Sequence, residues 1–357
     1  MDPQALVEET RRLIAIPSHE DCTAILAYVR QRLPFLPWQK QYVDKWVNGR
    51  QQYNLHTLSP ERPFVVNTHV DTVPALTMEN AFTPRVEGNR IYGRGAVDTK
   101  GLLAALIVAV EAFYRDHGTV PVSIALTVDE ENVEAVGSTR LAPFLRDMEY
   151  VLVLEPTQGA ICTRQVGSLE FELAVQAPQI YHAAMFGRTP NVIRLLVDAW
   201  HTLEGQVGRP LNVFLFEGGW EHYTTPPQAR LRGEFVIEPG GQWQAVEAAI
   251  QQTLERLPLQ GRVTYRRIDA DDPLDFNEHP GTQRLARAYT EALGEAPTFD
   301  IMPVWTDAAN FAKAGVPCAV FGFGDLAVAH SEREHITVED LERTSRVLYR
   351  LFTILTQ

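Results

Sequence analysis

The chain has 357 residues, 45% of them hydrophobic, and a formal net charge of −13. That is enough apolar material for one large or two ordinary domains with real cores, and the negative charge argues against nucleic acid or an anionic membrane as a main partner. No run reaches the roughly 18 uncharged apolar residues of a membrane helix, and the acidic, amphipathic start "MDPQALVEETRR" lacks a signal peptide's basic and apolar stretches.

The elements follow in order. "DPQALVEETRRLIAI", "CTAILAYVRQRL" and "TKGLLAALIVAVEAFYRDHG" carry helical periodicity, while "PFVVNTH", "VSIALTV" and "YVLVLEP" are short β-branched runs bounded by turn residues. Strands alternating with long helices predict an α/β layer around a mostly parallel sheet, whose reactive groups gather beyond the carboxyl ends of the strands. From about residue 168 the pattern changes. "SLEFELAVQ", "LNVFLFEGG", "QARLRGEFVIE" and "GRVTYRRI" alternate, with the helical stretches "PNVIRLLVDAWHTLEG" and "WQAVEAAIQQTLERL" between them. The order β-α-β-β-α-β is that of a ferredoxin-like split unit. "DADDPLDFNEHPG" reads as its exit linker. Helices "TQRLARAYTEAL" and "DAANFAKAG", the strand "PCAVFGF" and a long helix from about Val338 then return to the α/β character of the start. The expected organisation is a discontinuous main domain, 1–167 and 273–357, interrupted by an inserted α+β domain, 168–272. The cysteines Cys22, Cys162 and Cys318 are scattered without a CxxC and read as core hydrophobes in a reducing compartment, so a cytoplasmic protein is expected.

Charged residues stand at the tips of the apolar strands: His69 and Asp71 in "THVDTVP", Asp98 in "GRGAVDTKG", Glu130 and Glu131 in "VDEEN", Glu155 in "LEPT" and His330 in "AHSEREH". Taken singly, each reads as a solvated or hydrogen-bonded loop residue. Together they would put several carboxylates at one pole of one sheet, where each must take up a proton or share a cation. Two imidazoles with three or more carboxylates suit Zn²⁺, Co²⁺ or Mn²⁺. The anionic ligands are too many for one tetrahedral ion, and a pair bridged by one carboxylate balances them better. The fragments "GNRIYGRG" and "GFGD" do not complete a GxGxxG opening a helix, which argues against a nucleotide site.

These five ordered motifs resemble the M20 metallopeptidase and deacylase family, over the whole chain including the insert. The resemblance implies two zinc ions, with His69, Asp98 and Glu155 holding one and Asp98, Glu131 and His330 the other. It further implies Asp71 fixing the His69 tautomer, Glu130 as general base, and a cis peptide after Asp98. The family form of the last motif fits His330 with Glu334, leaving His335 at the surface, and Trp305–Phe311 matches the stretch leading to it. In the insert, "APQIYHAAMFGRTPNVI" nominates His182 as oxyanion donor and Asn191 beside it, although Pro178, Ala184 and Thr189 depart from the family pattern. The family's carboxylate-binding arginine falls at Val236, so Arg230 or Arg232, on the same strand face, is the candidate substitute. The expected reaction is removal of the acyl group from an N-acyl amino acid, as in the acetylornithine and acetylcitrulline branch, with a homodimer possible through the insert, which would act as a lid. An exopeptidase or dipeptidase of the same family is the alternative, and a catalytically silent protein of the same fold a third reading.

Overall fold

The computed structural model describes residues 1–185, 187–256, 263–276 and 278–357. Four expectations touch positions outside the described residues: Phe186 near His182, Leu257 ending a helical stretch, Gly261 and Arg262 opening an alternating one, and Asn277 in the linker. The chain forms two compact units. Met1–Arg164, Asp275–Met302 and Thr306–Gln357 make the first, and Gln165–Leu274 with Pro303–Trp305 the second.

The first unit is built on a nine-stranded mixed sheet with a parallel centre. Phe64–His69 lies between Ser123–Thr127 and Tyr150–Val153 and runs parallel to both, and Cys318–Val320 runs parallel to Tyr150–Val153 on its far side. Every residue of these four strands is buried, as unbroken apolar runs in a sheet covered on both faces should be. The helix Gly101–His117 makes the crossover from Phe64–His69 to Ser123–Thr127. Its first ten residues, Gly101 to Val110, are all buried, which accounts for the absence of a polar face in its sequence. The C-terminal helix Val338–Leu355 packs against it and starts with a reciprocal cap between Thr337 and Asp340. Because the chain leaves Phe64–His69 toward one neighbour and later returns on the other side, the carboxyl end of that strand is a topological switch point, where loops diverge and leave a crevice.

The second unit is a four-stranded antiparallel sheet in the order Asn212–Gly218, Gln228–Ile237, Gly167–Gln176, Val263–Asp271, with helices Val192–Val207 and Trp243–Arg256. Burial alternates residue by residue along Gly167–Gln176. Leu169, Phe171, Leu173 and Val175 form a core with Leu196, Leu203 and Ile250 of the helices.

Several elements escaped the sequence reading. The hairpin Gln39–Val47 and Arg50–His56 extends the main sheet, and its polar outer strand carries no continuous apolar signal. A small sheet joins Arg85–Glu87 and Arg90–Tyr92 to His335–Thr337, far apart in sequence. Two expected strands are also shorter than their apolar runs. The strands themselves end at Thr127 and Val153, so Glu130, Glu131 and Glu155 lie in the irregular segments that follow, although Glu155 N still donates to Phe321 O.

Candidate metal centre

The switch-point crevice of the first unit collects the charged residues singled out above. His69 is the last residue of its strand and is 2% exposed. Its Nε2 lies 3.0 Å from Asp98 Oδ1 and 3.5 Å from Glu155 Oε1. On the other side, His330 Nε2 lies 3.2 Å from Asp98 Oδ2 and 3.0 Å from Glu131 Oε2. Asp98 thus turns one oxygen to each imidazole. In each of the groups His69–Asp98–Glu155 and Asp98–Glu131–His330, one ligating atom per residue can be chosen so that all lie within 4.8 Å of one another.

Local backbone explains how the loops deliver these side chains. Asp98 sits in the irregular turn Ala96–Lys100, with extended φ/ψ of −124° and 88°, and the Asp98–Thr99 peptide is cis, as the resemblance implied. Thr99 Oγ1 donates to the His69 carbonyl at 2.9 Å, tying that turn to the strand end. Asp129 and His330 both adopt positive φ, 71° and 60°. That left-handed step at Asp129 redirects the chain just before the Glu130–Glu131 pair. The Asp129 carboxylate holds the turn by accepting from Lys45, from Asn132 Nδ2 at 2.9 Å and from Val136 N at 3.1 Å.

Asp71 acts a little differently from the expectation. His69 Nδ1 lies 3.1 Å from the Asp71 carbonyl oxygen and 3.6 Å from its carboxylate. A proton on Nδ1 satisfies that carbonyl and turns the Nε2 lone pair toward Asp98 and Glu155. The Asp71 carboxylate instead accepts from Glu131 N at 3.0 Å, so it braces the neighbouring ligand loop.

The electrostatics of the cluster are those of acids forced together. Burial, opposed by His69 and reinforced by Asp98 and Asp307, pushes Glu155 up to about 8. Burial likewise raises Glu130, against the pull of His69 and with the push of Glu155 and Glu131. Glu131 is raised by burial and by Asp98. His330 is driven up to about 10 by its hydrogen bonds to Asp98 and Glu131. His69 is raised too, because Glu155 and Glu130 outweigh the burial that opposes its charge. Glu155 Oε1 and Asp71 Oδ1 are buried and find no hydrogen-bond partner among the described residues. Orphaned carboxylate oxygens at the centre of such a cluster suit divalent cations, and the mix of imidazole nitrogen and carboxylate oxygen fits zinc, cobalt or manganese.

The remaining candidates lie elsewhere. His335 opens the strand His335–Thr337, with its Nδ1 2.8 Å from Arg333 O, outside both groups. In the second unit, the exposed His182 accepts from Ala184 N at its Nδ1 and pairs by backbone with Thr224. Asn191 caps the helix Val192–Val207, its Oδ1 accepting from Ile193 N and Arg194 N at 3.0 and 3.2 Å. Arg230 is bound to Glu217 at 2.7 Å, and Arg232 to Glu170. Any role for these arginines in holding a carboxylate must compete with those partners. Sequence reading overlooked Arg94, Asp129 and Asp307. Asp307, 1% exposed, accepts from Thr127 Oγ1 through one oxygen, its other oxygen has no partner among the described residues, and burial raises it to about 6.

An α/β sheet that presents fused imidazole–carboxylate clusters at its switch point defines a metal-dependent hydrolase. The chain belongs to peptidase family M20/M25/M40, whose sequence profile matches residues 65–353. It is 30% identical to succinyl-diaminopimelate desuccinylase of Stenotrophomonas maltophilia over 311 residues, covering 79% of this chain and 81% of that one. It is 27% identical to N-acetyl-L-citrulline deacetylase of Xanthomonas campestris pv. campestris over 338 residues, 89% and 88% of the two chains. Its fold is also that of human carnosine dipeptidase 1, with a TM-score of 0.80, 17% identity, and 99% and 96% of the two chains covered. The protein is therefore a metal-dependent hydrolase of linear amide or peptide bonds.

Proposed function

We propose that the protein is a dinuclear zinc amidohydrolase that removes the acyl group from an N-acyl amino acid, of the acetylornithine or acetylcitrulline deacetylase type. The observation that carries this reading is Asp98, whose two oxygens face His69 and His330 on opposite sides. His69, Asp98 and Glu155 would hold one zinc, and Asp98, Glu131 and His330 the other, with cobalt or manganese acceptable to the same donors. Bound there, the ions supply Lewis acidity, which lowers the pKa of water toward about 7 and polarises an amide carbonyl.

Glu130 is the proton carrier. It makes no side-chain hydrogen bond or ion pair among the described residues, so its carboxylate is free for a water molecule. The carboxylate takes a proton from the attacking water as the new C–O bond forms. It returns that proton to the amine nitrogen as the C–N bond breaks, so one group serves as base and then acid. His69 stays oriented through Asp71, and Glu131 is steadied by the Asp71 carboxylate and by Val73 N, 3.2 Å from its Oε1.

The insert, 168–272, would act as lid and dimer surface of a cytoplasmic enzyme. His182 would donate to the oxyanion, a contribution of about 3–4 kcal/mol for one such donor. Asn191, whose oxygen caps the helix, would offer its Nδ2 to the substrate. Arg230 or Arg232 would meet the substrate carboxylate by exchanging a glutamate partner for it.

The two relatives named above are, by name, a desuccinylase and a deacetylase, which favours acyl removal over dipeptide cleavage. Purified zinc-loaded protein offered acetylornithine, acetylcitrulline, succinyl-diaminopimelate and a set of dipeptides in parallel tests this. The highest kcat/KM should fall on an acetylated amino acid. Preference for dipeptides would replace the reading with the exopeptidase alternative, and no turnover of any substrate with zinc bound would leave the silent-scaffold one.

A further inference from the structure

Arg94 and Glu334 form an ion pair with both side chains 1% exposed, and neither takes part in the chemistry described above. The guanidinium does more than neutralise its partner. Its Nε donates to Pro74 O at 3.0 Å and its Nη2 to Ala75 O at 3.1 Å, fixing the loop whose Val73 N holds Glu131 Oε1. Nη2 also reaches the carbonyl of His330 at 3.4 Å, and Nη1 that of Ser331 at 3.5 Å. The second oxygen of Glu334 accepts from Val97 N and Asp98 N at 3.3 and 3.4 Å. The pair therefore touches the backbone of His330 and of Asp98 directly, and the carboxylate of Glu131 through one loop; Asp98 belongs to both groups, but of the ligands particular to one group the pair reaches only His330 and Glu131. It makes no hydrogen bond to His69 or Glu155 or to the residues next to them.

We propose that the Arg94–Glu334 pair is a positioning clamp for one of the two metal sites, the Asp98–Glu131–His330 site, and that it sets the occupancy of that site selectively. The proposal rests on the dinuclear reading above. Its physical basis is an asymmetry in support. His69 is buried at the end of a strand within the sheet, whereas the His330 side chain is 47% exposed on a loop residue at positive φ. A ligand held so loosely by its own surroundings loses orientation once its carbonyl and its neighbours are released. Only a planar fork of donors can reach Pro74, Ala75, His330 and Glu334 together, so lysine cannot replace arginine here although it keeps the charge.

The test is a zinc titration of the full chain after chelation, with a chromophoric competitor that resolves two dissociation constants, run on wild type, Arg94→Lys and Glu334→Gln. Arg32→Lys, which alters the remote pair between Arg32 and the buried Glu9, serves as the stability control. In both clamp variants the weaker zinc constant should rise by about 10–100-fold, the usual effect of losing a residue that orients metal ligands, and the tighter one by less than about threefold. Circular dichroism and thermal melting of the metal-free proteins report folding, and either clamp variant that folds suffices. A wild type that binds two ions while a folded clamp variant binds both unchanged, or loses both equally, overturns the clamp and leaves the dinuclear reading standing. A wild type that binds fewer than two ions overturns both. A selective rise that Arg32→Lys does not reproduce supports the clamp.

Discussion

At the scale of single residues the account depends on two adjacent glutamates doing different work. Asp129, in the left-handed region, turns the chain immediately before them, so Glu131 faces His330 while the Glu130 carboxylate has no side-chain hydrogen bond or ion pair among the described residues. Glu130→Ala should lower kcat by about 10²–10⁴-fold and keep the zinc content of the wild type, measured by steady-state kinetics alongside metal analysis. Loss of zinc would show that Glu130 is a ligand, and unchanged turnover would show that it is not the base. His182→Ala should cost about 10²–10³-fold in kcat with KM and zinc content little altered. Equal kcat in the variant would remove His182 from the chemistry. His69 was legible from the residues, because a histidine closing a buried apolar strand has no packing reason to be there, whereas the roles expected of Glu130 and His182 came only from the family resemblance. Arg94 was not, since an arginine between two glycines looks solvated until the fold brings Glu334 to it from the other end of the chain.

Among elements, long periodic segments declared themselves and short or polar ones did not. Helices Gly101–His117 and Val338–Leu355, the central strands and the order of the second unit's strands and helices follow from apolar spacing alone. The hairpins Gln39–Val47 with Arg50–His56 and Arg85–Glu87 with Arg90–Tyr92 are anchored where Arg50–His56 pairs with Ser123–Thr127 and Arg90–Tyr92 with His335–Thr337, distant partners that no local pattern records. The short helix Val136–Leu141 is similar, and one glycine explains its place. A Cβ on Gly137 would lie 2.0 Å from Val128 O and 2.7 Å from Val128 N, both backbone atoms that cannot yield. The helix thus packs directly on the segment that leads into the Glu130 turn. Gly137→Ala should destabilise the protein by about 1–3 kcal/mol in chemical denaturation, and by more if the strand end cannot shift. It should also lower kcat even where the protein remains folded. Wild-type stability in that variant would mean the helix stands off from Val128.

For the whole molecule, the acid cluster couples metal binding to stability. Glu155 and Asp307 are raised in the folded metal-free protein to about 8 and about 6 from ordinary values of 4.5 and 3.8, and His330 to about 10 from 6.5. A folded-state pKa above the unfolded one means the folded chain binds the extra proton. The associated stability is therefore present below the unfolded value and is lost as pH rises through the folded one. All three groups act in the same direction between about pH 5 and 8, while the lowered Asp98 titrates below that window. The metal-free protein should therefore melt at progressively lower temperature from pH 5.5 to 8. Zinc loading should reverse the trend, because cations take the place of those protons and bind more tightly as the ligands deprotonate. A metal-free melting temperature that rises over this interval would contradict the cluster's electrostatics.

The central claim is that Asp98 is shared by two metal ions, and metal content reads it most directly. Zinc per chain, measured on purified wild type and Asp98→Ala after equilibration with buffered zinc, should be two in the first and close to zero in the second. One ion or none in the wild type, or two retained without Asp98, would contradict it.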